Sequence, residues 1–170
     1  MKISKLIKDK KLAHKIFPYN VHDYQTINPK NNKFIKKYDT ISHTKTTEIL
    51  NKSQLSFEKY RYTALEDRFA KFKKLGDNLE LNINKISEII SLEMGKPITQ
   101  GIGEVRKCIG HINYYIKNTE QYVKNKNVDY EGFNNEIHYM PMGPILSINP
   151  WNFPFWVPFK SIIPSMFVGK

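Results

Sequence analysis

Gly143-Pro144-Ile145-Leu146-Ser147-Ile148-Asn149-Pro150-Trp151-Asn152-Phe153-Pro154 is the stretch that decides how the chain is read. Ile145, Leu146 and Ile148 make a short, almost wholly apolar run, which is how a strand covered on both faces is written. Pro150 and Pro154 then bracket a turn, and an apolar segment suited to a helix follows before the sequence reaches Lys170. A strand, a turn and a helix in that order form the unit from which α/β sheets are built, and ligands bind at the carboxyl ends of such strands. A strand of this kind needs neighbours, and the residues after it supply only one helix. The architecture expected is therefore α/β but incomplete.

The turn carries the residue types that a site needs. Asn152 offers an amide that can donate to a carbonyl oxygen as negative charge builds on it, an effect worth about 3 kcal/mol for one such donor. As an ordinary turn residue it would bond its own backbone instead, and spacing alone leaves both readings open. Trp156 and Lys160 follow at intervals of four, so helical geometry from Trp156 onward places them on one face. Lys160 either meets an anionic group there or runs its stem along apolar surface to water.

Working back from the turn, alternation at Ile137, His138 and Tyr139 and the polar, asparagine-rich run from Tyr122 with Gly132 inside it predict a strand pair or extended arm. Before that come four amphipathic helices. The first carries Ile49, Ser53, Phe57 and Tyr60, capped by Ser42 or Thr44. Thr63 and Glu66 have the spacing of a capping box for the second, with Leu65, Phe69, Phe72, Leu75 and Leu79 on its stripe. The third turns Ile86, Ile89 and Ile90 inward and stops at Gly95, ahead of Pro97. The fourth carries Val105, Ile109, Ile112 and Ile116, with Gly101, Gly103 and Gly110 in or near it, glycines that close backbone packing would explain. At the front, Gln25-Thr26-Ile27 and Phe34-Ile35 flank Asn28-Pro29 and Asn31-Asn32, a hairpin.

Composition narrows the function classes. The 170 residues carry a formal net charge of +11, which raises nucleic acid as a partner. The cations are nearly all lysine and are dispersed, and only Arg61, Arg68 and Arg106 have the forked geometry for bidentate readout, so no nucleic-acid partner is expected. Cys108 is the single cysteine, which excludes an internal disulfide and a multi-cysteine metal site, and no metal ligand set is expected. On the apolar stripe of its helix it reads as a core residue rather than a nucleophile. Tyr139 to Phe159 is free of charge, but Pro141, Pro144, Pro150, Pro154 and Pro158 break any helix that would cross a bilayer, so no membrane span is expected. Without a leader pattern in its basic first residues, the chain is expected in the cytoplasm, or in the mitochondrial matrix if the source is eukaryotic.

Ser91-Leu92-Glu93-Met94-Gly95-Lys96-Pro97, Gly103-Glu104-Val105 and the Gly143 to Pro154 stretch, in this order, resemble consecutive motifs of the NAD(P)-dependent aldehyde dehydrogenase superfamily. The similarity runs from about Gln25 through Gly169, and Phe155-Trp156 with a cation at Lys160 is most similar to the succinate-semialdehyde dehydrogenase group. The resemblance implies oxidation of a small aldehyde to its acid with NAD or NADP, through a cysteine thioester released with the help of a glutamate. Those two residues lie downstream in the family and are absent here, so the chain by itself is expected to be inactive. It also implies that Asn152 steadies the oxyanion, that Ile148, Asn149 and Trp151 line the cofactor, and that Phe153, Trp156 and Lys160 face the substrate. Lys160 stands where the group has an arginine. Met140, Met142 and Lys170 also depart from the family pattern, replacing a glutamate, a leucine and an asparagine.

The expected organisation is a basic extension over 1–23, and a hairpin with helices of a Rossmann-like cofactor-binding domain over 24–121. An extended β arm making homo-oligomer contacts follows over 122–142, and a first βα unit over 143–170. The rival readings are a non-catalytic, truncated homologue that serves as an assembly partner and a basic nucleic-acid binder.

Overall fold

A computed structural model describes residues 24–170, so the extension expected over 1–23 lies outside the described residues. The chain opens with an antiparallel hairpin, β1 (Tyr24–Ile27) and β2 (Phe34–Tyr38). Its turn is built by asparagine side chains: Asn28 Oδ1 accepts from the Lys30 amide at 2.9 Å and Asn31 Oδ1 from the Lys33 amide at 3.0 Å, the local bonds for which asparagine is favoured in turns.

Helix α1 (His43–Tyr60) starts where Ser42 Oγ accepts from the Lys45 amide at 3.1 Å. Of its expected inner stripe, Phe57 is buried and Tyr60 half-buried, while Ile49 and Ser53 stay exposed. Helix α2 (Leu65–Leu81) corrects the expected capping box. The Thr63 amide is spent on the Tyr60 carbonyl, and the first helical bond runs from the Arg68 amide to the Ala64 carbonyl. The cap position is therefore Ala64, one residue out of step with a Thr63–Glu66 pair, and no side chain caps it. Glu66 and Asp67 still favour the positive end of the helix.

Helix α3 (Ile83–Met94) ends as expected at Gly95, whose φ of +71° closes the turn. Its inner positions are Ile83, Ser87 and Ile90, whereas Ile86 is half-buried and Ile89 is exposed. Helix α4 (Ile98–Val123) is the central element. Val105, Cys108 and Ile112 on its stripe are fully buried, and α2, α3 and the last helix pack around them. The core reading of Cys108 is thus realised, and burial, with Glu104 nearby, pushes its thiol up to about 12.

A second antiparallel hairpin follows, β3 (Lys126–Tyr130) and β4 (Phe133–Ile137), where a strand pair was expected. Glu131 and Gly132, with φ of +49° and +82°, form the two-residue turn that matches strand twist. Every residue of the two strands is exposed. The Gly143 to Ile148 run, expected as a buried strand, joins no ladder among the described residues, and Leu146 and Ile148 are 83% and 87% exposed. A strand exists only through its hydrogen-bonded neighbours, and none stands beside this one. Helix α5 (Trp156–Phe167) completes the chain. Phe167 is fully buried, stacked on Phe72 with ring centroids 4.3 Å apart. The result is a mixed helix-and-strand structure that corresponds to part of an α/β domain.

The three glycines of α4 divide sharply. A Cβ on Gly101 would lie 3.1 Å from Ser87 Cβ and 3.2 Å from Ser87 Cα, so this residue lets α3 and α4 touch backbone to backbone. A Cβ on Gly103 or Gly110 would meet nothing within 4 Å, so close packing does not account for them. Gly103→Ala and Gly110→Ala should each therefore stabilise the chain by about 1 kcal/mol through helix propensity. Gly101→Ala should destabilise by about 1–3 kcal/mol through overpacking. Urea unfolding of the three variants checks the ordering, and a Gly101→Ala variant as stable as wild type would contradict the close approach.

Candidate functional site

The Pro150 to Pro154 turn is fastened to the helical layer on both sides. At its entrance Asn149 Nδ2 donates to Ser147 Oγ at 2.8 Å, and Ser147 Oγ lies 2.7 Å from Ser161 Oγ on α5. At its exit the Phe155 and Trp156 amides donate to Glu104 Oε1 at 2.9 and 3.0 Å. These are orphan donors of the first turn of α5, and a carboxylate there complements the positive helix end. The other oxygen, Glu104 Oε2, pairs with Lys96 Nζ. Lys96 also stands over the Phe153 ring, 3.6 Å from its centroid.

Further along, α4 presents Lys107 and His111 on the same face, three and seven residues after Glu104. Lys107 Nζ lies 4.0 Å from the Trp156 ring centroid, and the His111 ring meets Trp156 edge-on at 5.1 Å. Pro164 sits inside α5 and has no amide with which to bond the Lys160 carbonyl one turn back. His111 lies beside the Lys160 backbone, near the carbonyl that Pro164 leaves without an intrahelical partner. At the far end of α5, Arg68 Nη1 donates to the Phe167 carbonyl at 2.9 Å and Nη2 to the Arg61 carbonyl at 3.0 Å. Tyr60 Oη donates to the Met166 carbonyl at 3.0 Å. Arg68 is buried in this work and unavailable to phosphate, whatever its fork suggests in the sequence.

The residues singled out from the sequence fall into two groups. Trp151, Asn152 and Phe153 lie together on the exposed turn, Asn149 stands at its entrance, and Ile148 is exposed just before it. Trp156 is half-buried against α4, and Lys160 is exposed one turn beyond it. Helical geometry begins at Trp156, so Trp156 and Lys160 stand one turn apart on the same helix while Asn152 lies in the turn before it. A groove of about 730 Å³ lies between α1, the Pro144 to Ser147 segment and α5, but neither Asn152, Trp156 nor Lys160 lines it. Its surface is mostly apolar, with Phe57, Ile145 and Met166 in its lining, although Lys52, Lys59 and Lys170 line it too.

Sequence reasoning passed over Glu104, Lys96 and His111 as working side chains. The signal was present: Glu104 adjoins Val105 on the stripe that also carries Cys108 and Ile112, and a charge on an inward face requires a partner.

Burial lowers the pKa of His111 below its ordinary 6.5, aided by the charges of Lys107 and Lys160 and opposed by the nearby Lys160 backbone. A depressed histidine contributes stability above 6.5 that is lost as pH falls below it, because the unfolded chain takes the proton first. The loss of stability between pH 7 and 5 should accordingly be smaller in His111→Gln than in wild type, measured by urea midpoints at each pH. Equal slopes would contradict this.

The site can be set against known proteins. The model of the aldehyde dehydrogenase family matches residues 18–170. A probable NADP+ succinate-semialdehyde dehydrogenase of Synechocystis is 32% identical over 145 residues, 85% of this chain and 32% of its own length. A succinate semialdehyde dehydrogenase of Escherichia coli, named for NAD(P)+, is 32% identical over 126 residues, 72% of this chain and 27% of its own. Among solved structures, the succinic semialdehyde dehydrogenase of Streptococcus pyogenes in complex with NADP+ superposes with a TM-score of 0.81 at 27% identity, covering 86% of this chain and 32% of that one. The chain thus spans about a third of the length of the relatives it matches. With the motifs, the turn and the family match in agreement, the chain belongs to the aldehyde dehydrogenase family.

Proposed function

We propose that these residues form the amino-terminal part of an oxidoreductase that converts an aldehyde, succinate semialdehyde, to its acid with NAD or NADP. The observation that carries this reading is the Trp-Asn-Phe-Pro turn, which exposes Asn152 while Glu104 holds the residues directly after it. In this reading the Asn152 amide donates to the substrate carbonyl oxygen as charge accumulates there. Phe153 and Trp156 supply an apolar wall toward the substrate, Trp156 packed against Lys107 and His111.

Ile148, Asn149 and Trp151 would hold the cofactor. Ile148 and Trp151 are 87% and 76% exposed, which fits a segment that another flat group covers. When bound, the nicotinamide serves as the hydride acceptor. Lys160, exposed and on the helix that starts from the turn, would meet the distal carboxylate of the semialdehyde. Lysine does so as a point charge, without the paired bonds an arginine makes.

The nucleophile is not Cys108. A thiol with no exposure and a pKa of about 12 is neither reachable nor ionised at neutral pH. The 170-residue chain by itself should therefore give no aldehyde-dependent reduction of NAD or NADP, and Cys108 should resist thiol reagents until urea unfolds the chain. Turnover with succinate semialdehyde that disappears in Cys108→Ala would overturn both the core assignment and the reading of the chain as one part of the enzyme.

Joined to the remaining two thirds of a relative such as the Synechocystis protein, the chain should oxidise succinate semialdehyde. Lys160→Met should then lower the ratio of kcat/KM for succinate semialdehyde over butanal by about tenfold, the effect of one lost surface-accessible charge contact. An unchanged ratio makes Lys160 a solvent-facing lysine and leaves the substrate an unspecified aldehyde.

A further inference from the structure

We propose that Lys96 and Glu104 are positioning residues, and that their ion pair sets the Asn152–Phe153 turn in the geometry required for aldehyde oxidation; this rests on the reading of Asn152 given above. Three contacts converge on the pair. Glu104 Oε1 accepts from two successive amides, Phe155 and Trp156, at 2.9 and 3.0 Å. Glu104 Oε2 takes Lys96 Nζ. Lys96 Nζ in turn lies 3.6 Å from the centroid of the Phe153 ring.

The side chains of Lys96 and Glu104 are 14% and 2% exposed, so solvent screens the pair weakly. A carboxylate removed from water carries a large desolvation penalty, and here it is offset by two backbone donors and a cation. Those partners can be reached together only in one arrangement of the turn. Rotation of Phe153 outward deprives Lys96 of the ring face, and unwinding of the first turn of α5 leaves the carboxylate short of donors. Asn152 immediately precedes Phe153, and the turn's entrance is tied to Ser161 through Ser147. Asn152 is thus bracketed by bonds on either side while its own side chain remains exposed.

The origin of the two residues supports a positioning role. Lys96 lies in the short link between α3 and α4, next to Gly95, and Glu104 lies on the first turns of α4. Neither belongs to the turn that they hold. The α3–α4 junction is rigid because Gly101 brings the two helices into backbone contact. A rigid external frame that grips a solvent-exposed loop is the arrangement that preorganises a hydrogen-bond donor without covering it.

The test uses the isotope-labelled chain and amide hydrogen exchange followed by NMR. In Glu104→Ala the Phe155 and Trp156 amides should lose protection by roughly ten- to a hundredfold, as befits the loss of a charged acceptor, while the Cys108 and Ile112 amides keep theirs. The side-chain amide resonances of Asn152 should shift in the same variant. Glu104→Gln, which retains an acceptor of the same shape, should restore part of the Phe155 and Trp156 protection. Lys96→Met should move the Phe153 ring resonances and leave Ile112 unchanged.

Unaltered exchange at Phe155 and Trp156, or a uniform loss across α4 in Glu104→Gln and Lys96→Met as well as in Glu104→Ala, would overturn the proposal. In the chain completed with the remaining two thirds of a relative, Glu104→Gln should lower kcat about tenfold or more with KM for the aldehyde little changed, the split expected when an interaction made only in the transition state is misplaced. If the completed wild-type protein is inactive while the exchange pattern holds, the assigned reaction fails and the pair's grip on the turn stands. If it is active and Glu104→Gln matches it, the positioning role fails.

Discussion

Glu104 does for this structure what no apolar contact could. Helix α5 is rich in hydrophobic residues and would find a place on the core in several registers by burial alone, because the hydrophobic effect has no direction. A buried carboxylate is directional. It takes two amides, those at the first turn of α5. The opposite end is treated with the opposite sign, for the Arg68 guanidinium donates to the Phe167 carbonyl where the helix carries partial negative charge. Between these two ends His111 meets the Trp156 ring edge-on at 5.1 Å. One apolar helix is thereby located by charge and hydrogen bonding, and the turn before it inherits that location.

The local grammar of the fold was legible in single residues. Ser42 caps a helix, Gly95 ends one, the asparagines of the first hairpin build its turn, and Gly132 sits in a two-residue turn, each because its side chain, or the lack of one, suits a single backbone conformation. Cys108 was legible for a related reason, since a small thiol on an apolar stripe has nowhere to go but inward. Where the outcome depended on partners distant in sequence, the reading failed or fell silent. Thr63 and Glu66 have the spacing of a cap, yet the chain enters the helix one residue later because the Tyr60 carbonyl claims the Thr63 amide. Ile145, Leu146 and Ile148 have the composition of a buried strand, but pairing belongs to neighbours that composition cannot supply.

The candidate site shows the same division. Asn152, Phe153 and Trp156 could be found from the turn and its motif, while the residues that hold them come from fifty positions earlier in the chain, as the span from Glu104 to Phe155 illustrates. Glu104 was visible as a motif letter and not as a contact. Its place among Val105, Cys108 and Ile112 indicated burial, but nothing in a linear pattern says whose amides a buried carboxylate will meet. Trp156 also differs from a simple wall residue, because Lys107 and His111 both pack against its ring.

The anchors of α5 share one property of order. Tyr60, Arg68 and Glu104, which bond the helix, and His111, which packs on its Trp156, all precede it. During synthesis, which delivers the chain from its amino end, the helical layer can assemble first and present its carboxylate, imidazole and guanidinium as waiting partners. Helix α5 and the Asn152 turn then dock as they emerge, with no requirement for anything made later. The exposed Asn152 turn is in this sense a product of the earliest folding steps, and a defect in α2 or α4 would be passed on to it.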